Sequence, residues 1–235
     1  MNSHPPTIRL NKFLAERLGV SRREADELIS LGKVTIDDEV ANLGARVDKN
    51  SKVCYNGKIV HFLADFLYIA FNKPTNYVCS RRAQGNTPTL YELLPKEYQK
   101  LKTVGRLDKD SSGLILLTND GDFAYQMTHP KFHKEKVYEV TLDRPLEPLH
   151  QQMISDYGIM LEDGPSKFAV VRASQASYKV ILTEGRNRQI RRTFAALGYR
   201  VKTLHRISFG VFEIGGLEPG KFQIIDAKDI KAHNI

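Results

Sequence analysis

Gly105-Arg106-Leu107-Asp108-Lys109-Asp110-Ser111-Ser112-Gly113 runs without a break into Leu114-Ile115-Leu116-Leu117, and Asn119-Asp120-Gly121 follows as a turn. Four consecutive aliphatic residues between turn signals predict a strand buried on both faces. The loop ahead of it is bounded by glycines and sets one carboxylate between Arg106 and Lys109. A carboxylate so placed against a hydrophobic strand has the makings of an active-site acid. Three other readings compete for the same residues. Asp108 can be a solvated loop residue or turn cap, a common fate of Asp before Ser and Gly. Asp108 and Asp110 can bind a metal, although no His or Glu lies nearby to complete the site. They can also be the paired carboxylates of a glycosidase, but a gap of two residues in one loop rarely gives that opposed geometry. The local pattern leaves these open.

Upstream, Phe66 to Phe71 is a second continuous apolar run, stopped by Asn72-Lys73-Pro74, and a long connection follows from Ser80 to Pro88. Downstream, Val137 to Leu142 alternates as a strand, and Phe168 to Val171 and Tyr178 to Leu182 read similarly. A helix is predicted from Arg188 to Leu197, ended by Gly198. Strands with interspersed helices and no regular βαβ repetition predict an α+β domain over residues 66–235. Residues 7–57 form a separate unit. Leu10, Phe13, Leu14 and Leu18 have helical spacing, with Gly19 as C-cap. Ser21 and Glu24 make a capping box for a second helix whose apolar face is Ala25, Leu28 and Ile29, ended by Gly32. Short strands around Val34 and Ile36, and around Val53, Tyr55 and Ile59, complete it, with Asp37-Asp38 and Asn56-Gly57 as turns. Residues 58–65 read as the linker.

The 235 residues carry 35 Lys and Arg against 27 Asp and Glu, a net charge of +8, which favours polyanionic partners. The excess is concentrated. Between Ile181 and Arg206, seven basic residues (Arg186, Arg188, Arg191, Arg192, Arg200, Lys202, Arg206) face Glu184 alone, interleaved with Phe194 and Tyr199. A solvated helix usually mixes signs, so this run predicts phosphate contact. By charge alone DNA would serve as well as RNA. Cys54 and Cys79 are too few for a disulfide framework or a zinc site. The N-terminus lacks an apolar run suited to secretion, and no stretch approaches a membrane span, so a cytoplasmic protein is expected. Neither a Walker loop, a dinucleotide glycine fingerprint nor a metal-ligand cluster is present, so neither nucleotide cofactor nor metal is expected. Ser111 and Ser112 have no nearby His to activate them. His129, His133 and His205 lack ligand-like spacing and read as surface or phosphate-contact residues.

The Gly105-Arg106-Leu107-Asp108 loop with its serine/glycine turn resembles the signature of the pseudouridine synthases, and most of all the branch containing RsuA, RluB, RluE and RluF. Lys136-Val137-Tyr138-Glu139-Val140 resembles that family's second motif. Gly185-Arg186-Asn187-Arg188-Gln189-Ile190-Arg191-Arg192 resembles its third, and Leu204-His205-Arg206 the segment after it. The stretches Arg9 to Leu14, Ser21 to Ala25 and Leu31 to Ile36 resemble the alpha-L RNA-binding domain of the ribosomal-protein-S-four type, which RluE-like members lack. The resemblance implies a small N-terminal RNA-binding domain followed by a mixed, largely antiparallel-sheet catalytic domain. The implied activity is isomerisation of a flipped-out uridine in ribosomal RNA, by detaching uracil, turning the ring and reattaching it through carbon.

The resemblance also implies roles. Asp108 is the essential carboxylate, as nucleophile at the sugar or as a base. A buried carboxylate calls for a fixed cation, and Arg191 matches the family's partner arginine. Tyr138 would stack on the base, Leu204 would pack below it, and Arg106 would fill the gap left by the flipped nucleotide. Arg186, Arg188 and Arg192 would meet phosphates, as would Arg9, Lys12, Arg22, Arg23 and Lys33 on the N-terminal unit. The expected partner is ribosomal RNA or a pre-ribosomal particle, met by a monomer away from membranes. Two alternatives remain: a non-catalytic RNA-binding ribosome-assembly factor, and a nucleosidase or glycosidase using Asp108 and Asp110.

Overall fold

The computed structural model describes residues 7–61 and 66–232, and the chain divides between Phe66 and Leu67 into two compact units. In the first, β1 (Ile8–Arg9) leads into α1 (Leu10–Leu18), and α2 (Arg22–Ser30) follows. Gly19 closes α1 in the left-handed conformation, φ 71°. The capping box forms: the Ser21 hydroxyl accepts from the Glu24 amide at 3.1 Å, and the Ser21 amide donates to the Glu24 carboxylate at 2.6 Å. Next come β2 (Val34–Ile36), β3 (Glu39–Val40), β4 (Arg46–Val47), β5 (Val53–Tyr55) and β6 (Lys58–Ile59). A four-stranded sheet has the order β3-β2-β5-β6, and β1 pairs with β4. Leu10, Phe13, Leu14, Ala25, Ile29, Val34 and Val53 make its core.

Lys58, read from sequence as the start of the linker, joins Ile59, read both with the strands and with the linker, as the outer strand of a hairpin, opposite Tyr55 and Cys54. The cause is Asn56-Gly57, whose positive φ angles (48° and 75°) give the two-residue turn whose twist matches the strands. Residues 62–65 of the expected linker lie outside the described residues.

The second unit contains β7 (Tyr68–Lys73), β8 (Lys102–Val104), β9 (Ser112–Thr118), α3 (Gly121–Thr128), β10 (Lys136–Leu142) and α4 (Pro148–Gln152). It continues with β11 (Ile159–Leu161), β12 (Gly164–Ser166), β13 (Ala169–Arg172), β14 (Ser177–Leu182) and α5 (Gln189–Ala196). It ends with β15 (Val201–Phe209), β16 (Phe212–Glu213), β17 (Phe222–Ile225) and α6 (Ala227–Ala232). The main sheet runs β13-β14-β10-β15-β9-β7-β17, with β8 added to β9 and β16 to β15. Its pairings are antiparallel except β15 with β9, so the domain is the expected mixed, largely antiparallel α+β fold.

The two apolar runs become central strands because both sheet faces are covered. Ile69, Phe71, Ile115 and Leu117 face a core shared with Ile190 and Phe194 of α5. Tyr68, Ala70, Leu114 and Leu116 face the opposite core, under Phe123 and Met127 of α3. Burying each such aliphatic side chain contributes about 1.5–3 kcal/mol. Gly113 makes the parallel joint possible. It sits opposite Arg206 at φ 108°, where a Cβ would lie 2.3 Å from the Arg206 carbonyl oxygen. The edge of β9 is thus divided: β15 pairs with its first residues and β8 with its last. The loop bearing Asp108 connects β8 to β9 at that division.

Candidate active site

A cavity of about 400 Å³, an ordinary size for a small-ligand pocket, is lined by the Gly105–Asp108 segment, Ser111, Tyr138, Leu204, Arg206 and the Leu182–Ile190 segment. The Asp108 loop is fixed on both sides. Before Asp108, the Leu107 amide donates to the Cys79 sulfur and the Cys79 thiol donates to the Leu107 carbonyl, both at 3.3 Å. Burial pushes the Cys79 thiol up, which keeps its proton in place. After it, the fully buried Lys73 donates to the carbonyls of Ser111 (2.7 Å) and Pro74 (2.8 Å). Burial lowers this amine to about 8. The Ser111 amide closes the turn on the Asp108 carbonyl at 3.1 Å. Between these anchors the Asp108 side chain keeps 29% of its surface exposed.

The cations around Asp108 are arranged differently from expectation. Among the described residues, Arg188 is the guanidinium within ion-pair distance of Asp108, at 3.7 Å. Arg191, expected to pair with Asp108, lies 3.3 Å from the Asp110 carboxylate and donates to the carbonyls of Asp110 (2.8 Å) and Val201 (3.0 Å). The reason is reach: Arg191 is nearly buried on α5 and its fork is spent on two main-chain oxygens. Arg188 also grips Asp110 through two bonds. Burial opposes ionisation of Asp110, but the Arg188 bonds and the charges of Arg191 and Arg188 prevail and hold it below the usual carboxylate range. Arg188 adopts a left-handed backbone, φ 47°, at the start of α5, an uncommon conformation for arginine that turns it toward the loop.

Tyr138 and Leu204 are both buried and both reach the cavity. Tyr138 stands opposite Arg206, where a bulge interrupts the β10–β15 ladder; such bulges re-aim side chains. Arg206 itself is buried, donates from Nε to the Leu114 carbonyl at 2.7 Å, and covers the Phe209 ring at 4.9 Å. Lys136 lies over the same ring at 5.1 Å; burial, with Arg206 nearby, lowers it to about 8. His205, read as a surface or phosphate-contact residue, is instead half-buried and bonded through Nδ1 to the Ser112 hydroxyl at 2.9 Å, because β15 is an interior strand; Ser112, expected to have no nearby His, thus has one. Lys73, Cys79 and Lys136 carried no site assignment from sequence. The available signal was a lysine ending an otherwise apolar run at Asn72-Lys73-Pro74.

The remaining predicted contacts divide. Arg106 is exposed at the rim of the cavity. Arg186 and Arg192 are not free: both bind Asp163, Arg192 with two bonds at 3.0 and 2.6 Å. Arg186 also donates to the carbonyls of Asp163, Gly164 and Pro165. The charge excess counted along the sequence is thus offset by acids, Asp110 and Asp163, that the fold brings in from outside that window. On the N-terminal unit, Arg9, Arg22, Arg23 and Lys33 are exposed; Lys12 is half-buried, 4.0 Å from Glu16.

Residues 67–196 match the family model described as RNA pseudouridylate synthase, and residues 8–53 match the S4 domain. The chain is 38% identical to the ribosomal small subunit pseudouridine synthase A of Pasteurella multocida, over 97% of this chain and all of that protein. It is 34% identical to the ribosomal large subunit pseudouridine synthase B of Pseudomonas aeruginosa, covering 97% of this chain and 62% of the relative. A solved pseudouridylate synthase superimposes with a TM-score of 0.70 at 30% identity, covering 95% of this chain and 98% of that one. A tethered carboxylate loop at a cavity that Tyr138 helps to line, in a chain that also carries an S4 domain and is matched along nearly its whole length, places this protein in the RNA pseudouridylate synthase family.

Proposed function

We propose that the protein isomerises one uridine of small-subunit ribosomal RNA to pseudouridine, with Asp108 as the essential carboxylate. The observation that carries this reading is the placement of Asp108, half-open on a loop tied down by Leu107 and Ser111, at a cavity whose lining includes Tyr138 and Leu204. A base swung out of its stack needs such a pocket, and its flipping costs a few kcal/mol. Tyr138 stacks on the base and Leu204 packs beneath it. Arg188 and Arg191 place positive charge beside this carboxylate, with Asp110 holding both in position. Arg106, exposed at the rim, takes the space vacated in the helix. The exposed Arg9, Arg22, Arg23 and Lys33, together with Lys12, give the S4 domain its phosphate contacts.

The preference for the small subunit rests on similarity, 38% identity to the small-subunit relative against 34% to the large-subunit one. The assembly-factor alternative is not favoured, because a binder has no need of a tethered carboxylate at a cavity. The nucleosidase alternative gains nothing from Asp110, whose oxygens are held by Arg188 and Arg191 rather than facing Asp108 across a substrate. The roles assigned to these residues call for no second subunit, and action as a monomer is part of the proposal. Its proposed place is the cytoplasm, because ribosomal RNA, free or in a pre-ribosomal particle, would be met there. Pseudouridine mapping of total ribosomal RNA from cells with and without the gene tests the proposal. Loss of one site in small-subunit RNA is expected; an unchanged map contradicts it.

A further inference from the structure

The stretch Tyr125-Gln126-Met127-Thr128-His129-Pro130-Lys131-Phe132-His133 has no part in the chemistry assigned to the cavity. Phe123 and Met127 turn one face of α3 into the core, which sets Tyr125 and, four residues on, His129 toward solvent. Pro130 then starts a single tight turn that returns Phe132 onto Tyr125. The three rings form one cluster. Tyr125 and His129 have centroids 4.7 Å apart, Tyr125 and Phe132 5.8 Å at 89°, and His129 and Phe132 6.4 Å. The His129 Nδ1 accepts the Lys131 amide at 3.2 Å, which fixes the ring. The Lys131 amine lies over both neighbours, 5.1 Å from the Tyr125 ring and 4.7 Å from the Phe132 ring.

The cluster is not a core in miniature. Tyr125 is 46% exposed and Phe132 37% exposed, and residues 128–133 are all exposed. It is also continuous with the active-site cavity, since Thr128 and Pro130 line that cavity on either side of His129. Residues 129–134 contain no acid, while Lys131 and Lys134 are basic. Exposed rings beside fixed cations are the composition of a nucleobase-stacking platform, where each base has a π-face to offer and a phosphate to be neutralised.

We propose that Tyr125, His129 and Phe132 form a stacking platform for an unpaired nucleotide next to the target uridine, with Lys131 meeting its phosphate. This deepens the RNA-modifying reading and rests on it for the identity of the neighbouring nucleotide. The platform holds the strand beside the cavity after the target has left its stack. Its contribution is to binding and register, not to the bond changes.

The chain contains no tryptophan, so Phe132→Trp introduces a single indole at the platform while keeping an aromatic ring there. In the full chain carrying Phe132→Trp, single-stranded decauridylate is expected to quench that emission. Tyr125→Ala in the same background is expected to weaken the titrated affinity by about tenfold, and Tyr125→Phe to restore it. On ribosomal RNA, Tyr125→Ala raises KM and leaves kcat near the parent value. Unchanged emission, or equal affinity in Tyr125→Ala and its parent, overturns the platform even if pseudouridine is still made. Unchanged emission with self-association in sedimentation would mark the face as a contact between copies and also overturn it. Quenching by decauridylate in a protein that makes no pseudouridine would leave the platform standing and remove the enzymatic reading instead.

Discussion

Arg188 holds both oxygens of Asp110 with hydrogen bonds of 3.0 Å each. The same guanidinium stands 3.7 Å from Asp108, so one arginine spans the two carboxylates of the loop. Asp110 is therefore a clamp: it keeps Arg188 and Arg191 beside Asp108 without itself entering the cavity lining. Its carboxyl is held below the usual range, so the stability it contributes is present above about pH 4 and is lost as acid protonates it. Asp110→Asn should reduce turnover by about tenfold and flatten the acid limb of the stability curve. Urea unfolding between pH 6 and pH 3, with parallel rate measurements, checks both. An unaltered rate would show that the clamp is dispensable.

Gly113 should be the least replaceable glycine of the sheet. A Cβ there meets both the amide nitrogen and the carbonyl oxygen of Arg206 at 2.5 and 2.3 Å, main-chain atoms that cannot swing aside. Gly113→Ala should cost about 3 kcal/mol or more. Gly216→Ala, where nothing lies within 4 Å, should stay within about 0.5 kcal/mol. Thermal and urea unfolding of the two variants gives the comparison, and similar values for both would contradict the close-approach argument.

Lys73 should tie loop position to pH. Its amine falls to about 8 in the folded protein against an ordinary value near 10.5, because burial disfavours the charge. The unfolded chain thus binds more protons between these values, and this group makes stability rise with pH from about 8 to about 10.5. Lys73→Met should reduce that rise, leaving the share contributed by Lys136, which burial lowers to the same range, and, by freeing the Ser111 carbonyl, lower kcat by about tenfold with less effect on KM. A pH series of unfolding curves with steady-state kinetics tests both parts. A rise in stability undiminished in the variant would show that Lys73 has no part in it.

The strands and caps were legible where local chemistry decides the outcome. Ser21 with Glu24 gave a capping box, and Phe66 to Phe71 gave the central strand that begins at Tyr68, since continuous apolar runs require cover on both faces. What stayed hidden depends on distant partners. The strand Phe222–Ile225 has little local signature and exists by pairing with Tyr68–Phe71. Similarly, the charge count around α5 could not anticipate Asp110 and Asp163. The positions of Asp108, Tyr138 and Leu204 at one cavity follow the motif order, but the pairing of Arg191 does not. It was settled by which main-chain oxygens lie within its reach.

Asp163 limits how many arginines are available to RNA. Its carboxylate occupies Arg192 with two bonds and Arg186 with one. Asp163→Ala should release charge and make the dependence of log affinity on log salt steeper, by about 0.7 per arginine freed onto single-stranded RNA. Anisotropy titrations over a salt series measure the slope. A shallower slope would mean that the pairing positions the arginines for RNA instead of withholding them.

Asp108→Asn is the most direct measurement, because it removes a charge and keeps the shape of the loop. Purified wild type and variant are incubated with ribosomal RNA transcripts, and pseudouridine is counted in the intact chain while binding is followed separately. The expected result is no detectable product from the variant with RNA affinity within a few-fold of wild type. Pseudouridine formed at the wild-type rate by Asp108→Asn would contradict the account at its centre.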